Sequence, residues 1–160
     1  MCVVDPVATD HASRVTFSEG GVILSIMLVF VTHPPDPRPA LVVETTERID
    51  APAIEQLKQR MFGLGCPNGL LFDANECVIV RDTYTSLDAD SLEEDGRVPT
   101  ESLLSLVSPT SRAIDERVLD WLRSMASSWN TALPLDGDVA GPFITDIVPA
   151  VSGSSIREVA

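Results

Sequence analysis

The stretch of residues 40–82 places the strongest constraint on the fold of this chain. It reads ALVVETTERIDAPAIEQLKQRMFGLGCPNGLLFDANECVIVRD. Residues 41–44 and 69–72 are short apolar runs that predict buried strands, with a helix between them. A connection of this length allows the two strands to lie parallel, and a right-handed crossover is expected. A turn at Ala74 and Asn75 then predicts that residues 77–81 return antiparallel to their predecessor.

The segment between the first two strands has the pattern of an amphipathic helix. Its apolar residues recur at three- and four-residue intervals and mark one face: Ile49, Ile54, Leu57, Met61 and Phe62. Asp50 is suited to cap the amino end, and Pro52 falls in the first turn, where a missing amide hydrogen costs little. Gly63 and Gly65 predict the end of the helix.

Upstream, residues 22–32 form an apolar run rich in valine and isoleucine, which predicts another strand. The sequence HPPDPRP follows, and its four prolines predict an exposed, rigid turn that joins this strand to residues 41–44 as a hairpin. Residues 14–17 are compatible with either an edge strand or a loose arm. The fold class predicted from these elements is α/β, with a mixed sheet of about four or five strands and flanking helices.

Downstream, the polar segment TYTSLDADSLEEDGRVP at residues 83–99 predicts an acidic, solvated loop rather than a calcium loop, because the glycine and glutamate spacing of an EF-hand is absent. Residues 103–107 and 111–129 predict a short and a long helix. Residues 143–151 fit either a short helix or an edge strand, and the final residues are expected to fray.

Composition limits the classes of partner. The chain has 11 Lys and Arg against 24 Asp and Glu, a net charge of −13. Such a field repels phosphate backbones, which disfavours nucleic acid without excluding it, and suits a basic protein partner. The partner expected is a protein or, in a homo-oligomer, a second copy of the chain. No apolar run is long enough for a membrane span, so a cytoplasmic protein is expected. Cys2, Cys66 and Cys77 are far apart and predict reduced thiols, with neither a disulfide framework nor a zinc site.

The order of these elements carries a resemblance. A strand, a proline-rich turn, a strand ending in VVE, a helix with AIEQLKQRM and then NGLLFD with an antiparallel strand resembles the PD-(D/E)XK nuclease superfamily. Within it, the chain resembles the N-terminal nuclease domain of type I restriction enzyme R subunits. The resemblance covers residues 22–82 and implies a restriction-endonuclease-like core in a single domain of residues 1–160, followed by the acidic loop at 83–99 and a C-terminal helical part at 100–151.

The resemblance implies a magnesium site built from an aspartate on one strand and a Glu-x-Lys motif on the next. Residues two apart on a strand share a face, so the glutamate and the lysine would project together. Glu44 matches the acidic position, but Thr46 stands where the lysine is expected and cannot supply a positive charge. Lys58, from the helix, is a candidate for a displaced lysine.

The upstream aspartate has two placements. Asp36 satisfies the Pro-Asp wording but lies in the proline turn, whereas an equivalent position on the strand falls near Ser25, where no carboxylate is available. On the helix, Gln56 and Arg60 resemble the Gln-x-x-x-Tyr motif of some of these nucleases, with the tyrosine replaced. A purely structural interpretation of Glu44 is a strand-end carboxylate in solvent or paired with Arg48.

Three hypotheses follow. The leading one is a degenerate, non-catalytic restriction-endonuclease-like domain that acts as a binding or accessory module, in a restriction or defence context by analogy. It needs no cofactor. The second is a Mg²⁺-dependent endonuclease that uses Asp36 and Glu44 as metal ligands, with a displaced lysine. The third is an unrelated α/β scaffold that self-associates through the helix at residues 111–129.

Overall fold

Strands on both sides of the predicted core extend it into a six-stranded sheet. The structure is a computed structural model. It describes residues 2–3, 16–19, 22–23, 27–108, 112–133 and 140–159. Near the amino end, β1 (Cys2–Val3), β2 (Thr16–Glu19) and β3 (Val22–Ile23) pair as a small antiparallel sheet. The main sheet, within the described residues, contains β4 (Met27–Thr32), β5 (Leu41–Thr45), β6 (Asn68–Phe72), β7 (Glu76–Asp82), β8 (Leu92–Pro99) and β9 (Ser155–Glu158).

The strand order is β8-β7-β6-β5-β4-β9. β5 and β6 are parallel, with Val43 opposite Leu70, and every other neighbouring pair in the main sheet is antiparallel. The predicted α/β class, the β4–β5 hairpin and the parallel β5–β6 pair are confirmed. The sheet has six strands rather than four or five, because two segments with little apolar character, β8 and β9, add one strand at each edge.

Helix α1 (Ala51–Leu64) connects β5 to β6 and has the predicted caps. The side chain of Asp50 accepts a hydrogen bond from the amide of Ala53 at 3.0 Å, which satisfies one of the free amides of the first turn. Gly65 ends the helix in the left-handed region, at φ 64°. Gly63, which was also expected to mark the end, lies inside the last turn.

The remaining helices lie between β8 and β9 in sequence. They are α2 (Thr100–Leu104), α3 (Ile114–Ala132), α4 (Ala140–Pro142) and α5 (Val148–Val151), with a π-helical turn at Phe143–Ile147 between the last two. The short helix begins and ends earlier than predicted. Residues 143–151 are helical, which decides between the two alternatives, and α3 departs from helical geometry at Ser128. No helix in the described ranges is long and apolar enough to cross a membrane.

Three other predictions are wrong in part. The strand predicted at residues 22–32 is divided, because Val22 and Ile23 pair with β2 while the main-sheet strand begins at Met27; residues 24–26 lie outside the description. The expected acidic loop ends at Ser91, after which the chain pairs with β7 as β8. The carboxyl-terminal segment does not fray but pairs with β4 as β9. Part of the possible strand at 14–17 is seen as β2, and Arg14 lies outside the described residues.

Side chains of the sheet pack into two hydrophobic clusters, one on each face. On β5, Leu41 and Val43 belong to the cluster that includes Trp121 of α3, whereas Val42 belongs to the cluster that includes Leu57 of α1. This alternation follows from the two-residue period of a strand. One face of α3 packs against the sheet, since Val118, Trp121, Leu122 and Met125 are all buried and Ile114 is partly buried. Cys66 and Cys77 are free, buried thiols, one in each cluster, and the side chain of Cys2 is outside the description.

Candidate functional site

Glu44 lies near the carboxyl end of β5, on the face of the sheet covered by α1. Its neighbours across the two adjacent strands are Leu28 of β4 and Leu71 of β6, both members of the α1-side cluster. Only 1% of Glu44 is exposed. A carboxylate in such surroundings needs a compensating positive charge, because transfer of an isolated ion out of water is very costly.

Arg60 of α1 supplies that charge. Its Nη1 lies 2.9 Å from Oε1 of Glu44, and 15% of the arginine side chain is exposed. The structural interpretation that placed Glu44 in solvent or beside Arg48 is therefore wrong. Arg48 is exposed and lies 3.6 Å from Asp50 instead. Glu44 and Arg60, which sequence reasoning had placed in separate motifs, thus form one buried ion pair between strand and helix.

Thr46, at the position where the nuclease motif has lysine, is buried and used by the backbone. Its amide donates a hydrogen bond to the carbonyl of Phe72 at 2.8 Å, and its hydroxyl donates to the carbonyl of Arg48 at 3.4 Å. The hydroxyl of Thr45 donates to Asp115 of α3 at 2.8 Å. These hydrogen bonds connect the end of β5 to β6, to the segment that follows β5 and to α3. They provide no positive charge at the position where the nuclease motif has lysine.

Asp36 is at the other end of β5. It is exposed in the proline turn, where its carboxylate accepts a hydrogen bond from the amide of Arg38 at 3.0 Å and lies 3.9 Å from that guanidinium. The strand from Leu41 to Glu44 alone spans about 10 Å. The turn and the buried carboxylate therefore lie at opposite ends of the strand, and the structure does not bring the two candidate metal ligands together.

The remaining candidates lie on α1. Lys58 is paired with Glu55, with Nζ 3.8 Å from the carboxylate, and it is Arg60 rather than Lys58 that contacts Glu44. Gln56 lies one turn before Arg60, on the same side of the helix. Its amide oxygen is buried and has no hydrogen-bond partner among the described residues. The Gln-x-x-x-Arg spacing therefore places both polar side chains toward the covered side of the helix.

Asp73 is a structural carboxylate that sequence reasoning missed. One oxygen accepts hydrogen bonds from the amides of Asn75 and Glu76, both at 2.7 Å, and the other accepts from the amide of Ile49 at 3.1 Å. It thereby ties the β6–β7 turn to the segment before α1. The available signal was an aspartate at the end of an apolar strand, two residues before an asparagine, which is typical of a side chain that closes a turn on its own backbone.

The donor set near Glu44 does not fit a magnesium ion. Mg²⁺ needs octahedral oxygen ligands from carboxylates, waters and substrate, whereas here a guanidinium occupies the position next to the one carboxylate. Across the part of the chain that the structure describes, no group of three or more His, Cys, Asp and Glu side chains is arranged to hold a metal. The arrangement is that of a charge pair between β5 and α1.

The fold and this site define an α/β protein with a mixed six-stranded sheet and a buried ion pair between a central strand and its crossover helix. No protein-family model matches the chain, and neither a curated protein nor a solved structure matches it.

Proposed function

We propose that the chain is a restriction-endonuclease-like domain whose catalytic strand has become structural, and that it serves as a non-catalytic binding or accessory module, in a restriction or defence setting by analogy. The observation that carries this proposal is the buried pair of Glu44 and Arg60. In a nuclease of this type, the glutamate would face a divalent metal. Here the charge of Glu44 is compensated by a side chain of the same chain.

The order of elements supports the first half of the proposal. An antiparallel hairpin of β4 and β5, the crossover helix α1, a parallel β6 and an antiparallel β7 follow one another as in the resemblance that the sequence carries. Glu44 stands near the end of the strand that enters the crossover, the position of the acidic residue in the motif. Fold likeness alone is weak support for function, so the proposal rests on the chemistry of the site.

The chemistry of the neighbouring residues supports the second half. The Arg60 guanidinium lies 2.9 Å from the Glu44 carboxylate, so a metal ion bound to Glu44 would lie close to it. Two positive charges this close repel each other strongly in a partly buried site. Thr46 has no charge to orient an attacking water, and Lys58 is paired with Glu55. Since Glu44 is paired with Arg60 and Thr46 carries no charge, we expect the domain to act through its surface.

A cleavage assay tests the proposal. Purified chain, incubated with supercoiled and linear DNA in the presence of Mg²⁺ or Mn²⁺, should show no metal-dependent cleavage, and Glu44→Ala should be indistinguishable from it. Glu47→Gln, at an exposed carboxylate three residues away, is the matched control for a contaminating nuclease. Metal-dependent cleavage that Glu44→Ala abolishes and Glu47→Gln retains would overturn the proposal and establish the magnesium enzyme.

A further inference from the structure

A cleft lies at the end of the sheet opposite Thr46. The proline turn, the carboxyl end of α1 and the loop at residues 83–91 surround it, and its volume is about 610 Å³. None of the residues around Glu44 lines this cleft. It is therefore a separate surface feature.

Large apolar side chains are exposed at this cleft. Phe62 is 50% exposed, Tyr84 is 76% exposed and Leu87 is fully exposed, and all three line it. Elsewhere in the described residues, the other exposed large apolar side chains are Leu106 and Ile144. Single exposed apolar residues are ordinary, but three at one concave site, rimmed by polar groups, are typical of an interaction surface.

The loop that carries two of these side chains is closed at its base. The amide and the hydroxyl of Thr83 both donate to the carbonyl of Ser91, at 2.8 and 2.7 Å. Tyr84 has a φ of 57°, in the left-handed region that a tyrosine rarely adopts, and its amide donates to Asp82 at 2.8 Å. Local strain of this kind persists where the surroundings impose it, which is common at binding sites. These hydrogen bonds hold the backbone of Thr83 and Tyr84 at the base of the loop.

Carboxylates surround the apolar side chains. Asp36, Asp82 and Asp88 line the cleft, and Arg38 is the one Lys or Arg among the described residues that line it. Arg38 is already near Asp36. A hydrogen bond from the hydroxyl of Ser86 lowers the pKa of Asp88, so this carboxylate is charged at neutral pH. The rim therefore carries a net negative charge.

We propose that this cleft binds a short segment of a protein partner in which one large apolar side chain is flanked by Lys or Arg. The apolar side chain would pack among Phe62, Tyr84 and Leu87, and the flanking cations would face the carboxylates. This inference rests on the proposed function, because it names the class of partner for a binding module. Charge complementarity favours it over a second copy of the chain, which is equally acidic at −13, and over nucleic acid.

A peptide titration tests the proposal. The probe is a fluorescein-labelled twelve-residue peptide with one central leucine and two lysines on each side, in a serine and glycine background. Its control peptides replace the leucine by serine or the lysines by glutamate. Fluorescence anisotropy should show binding of the first peptide and not of the two controls. Binding should also weaken as salt is raised, because the flanking charges are exposed.

Protein variants locate the site. Leu87→Ser and Tyr84→Ser should each weaken binding about tenfold or more, whereas Leu106→Ser and Ile144→Ser, at the exposed apolar residues elsewhere, should leave it unchanged. Asp82→Asn removes a charge but keeps an acceptor for the amide of Tyr84, and it should weaken binding more than Glu47→Gln does. Circular dichroism of each variant checks that it is folded.

Several results would overturn the proposal. The first is no binding of the leucine-lysine peptide; the second is equal loss in Leu87→Ser and Leu106→Ser, which would indicate general attraction to an acidic surface. A third is a dimer in sedimentation that Leu87→Ser dissociates, with no peptide binding, which would assign the cleft to a second copy. Because the DNA cleavage assay depends on Glu44 and the titration on Leu87, failure of one proposal is distinguishable from failure of the other.

Discussion

Glu44 and Arg60 carry opposite charges, and both charges are largely removed from water in the folded chain. The carboxylate is almost fully buried and the guanidinium largely so, with 2.9 Å between the charged atoms. Such a pair gains about as much from attraction as it loses in desolvation, so its presence alone says little about net stability. The effect of removing one partner is more informative, because the other then stays largely buried without this opposite charge.

Arg60→Ala should therefore destabilise the fold strongly. We expect a loss of about 3 kcal/mol or more in the free energy of unfolding, because Glu44, which is buried beside Arg60, would lose this counter-charge. Urea unfolding followed by circular dichroism measures it. The double variant Glu44→Gln/Arg60→Ala should recover part of the loss, since a neutral amide is less costly to bury than a carboxylate.

Arg38→Ala is the matched control for that measurement. It removes an arginine whose partner, Asp36, is also exposed, and exposed pairs contribute about 0–1 kcal/mol. Similar small losses for Arg38→Ala and Arg60→Ala would contradict the role assigned to the buried pair.

The sequence was a better guide to which residues belong to the site than to which residues they contact. Glu44 and Arg60 were both singled out by position in motifs, but their pairing depends on how α1 crosses the sheet. A linear pattern contains no information on which cation reaches a buried carboxylate. Arg48, which is nearer to Glu44 in the sequence, was an equally reasonable partner. Asp36 could be assigned to an exposed turn because its neighbouring prolines exclude sheet pairing.

At the level of elements, the contact between α1 and β6 depends on Gly69, which has no side chain. A Cβ atom at Gly69 would lie 2.5 Å from Sδ of Met61 and 3.2 Å from both terminal carbons of Leu57. These distances are far below ordinary van der Waals separation. Gly69 therefore lets the helix approach the strand closely, directly beside Val42 of β5.

Gly69→Ala should lower the free energy of unfolding by about 1–3 kcal/mol, because the helix and strand must move apart or Met61 must adopt a poor rotamer. The same substitution made in a Met61→Ala background should cost less than 1 kcal/mol. Thermal and urea unfolding of the four proteins in this cycle gives the coupling. A cost that is unchanged by Met61→Ala would show that the close approach is not the cause.

Gly63 serves as the control within the same helix. An added Cβ there would meet nothing within 4 Å, and Gly63 lies in the last turn of α1. Gly63→Ala should be neutral or stabilising by about 0.5–1 kcal/mol, because alanine loses less backbone freedom in a helix than glycine does.

The elements that the sequence predicted are those with a strong local signal. β5, α1, β6 and β7 have apolar runs, an N-cap and a glycine terminator, and each appears close to its predicted place. β8 was missed because only its ends, Leu92 and Val98, bury apolar side chains, and its pairing comes from β7. β9 has one half-buried apolar residue, Ile156, and exists through hydrogen bonds to β4. Edge strands of this kind are specified by their partner.

At the level of the whole molecule, the sheet separates two hydrophobic clusters, and each contains one buried cysteine. Cys66 lies in the α1-side cluster and Cys77 in the α3-side cluster. Burial raises the pKa of the Cys66 thiol from an ordinary 9.0 to about 11, and burial likewise raises the pKa of the Cys77 thiol well above its usual range. Both faces of the sheet therefore favour protonated thiols.

Stability should fall at alkaline pH for this reason. The folded chain holds the Cys66 proton more tightly than the unfolded chain does, so the resulting stabilisation is complete below pH 9 and is lost as the pH rises through about 11. The loss from Cys66 alone should approach about 3 kcal/mol, at 1.36 kcal/mol for each pKa unit. Urea unfolding between pH 8 and 11 measures the decline.

Cys66→Ala should flatten this pH dependence, because the titrating thiol is removed while the other ionisable groups remain. An identical alkaline decline in the variant and the parent chain would mean that Cys66 does not contribute. Cys77→Ala tests the other face in the same way.

The paired strands β4 and β9 are far apart in sequence and are therefore synthesised at different times. Residues 29–32 leave the ribosome long before residues 155–158, which cover their outer edge in the finished sheet. Throughout that interval, the nascent hairpin of β4 and β5 presents an open row of amides and carbonyls to other extended chains. Until β9 has been synthesised, this edge of β4 is therefore open to pairing with other chains.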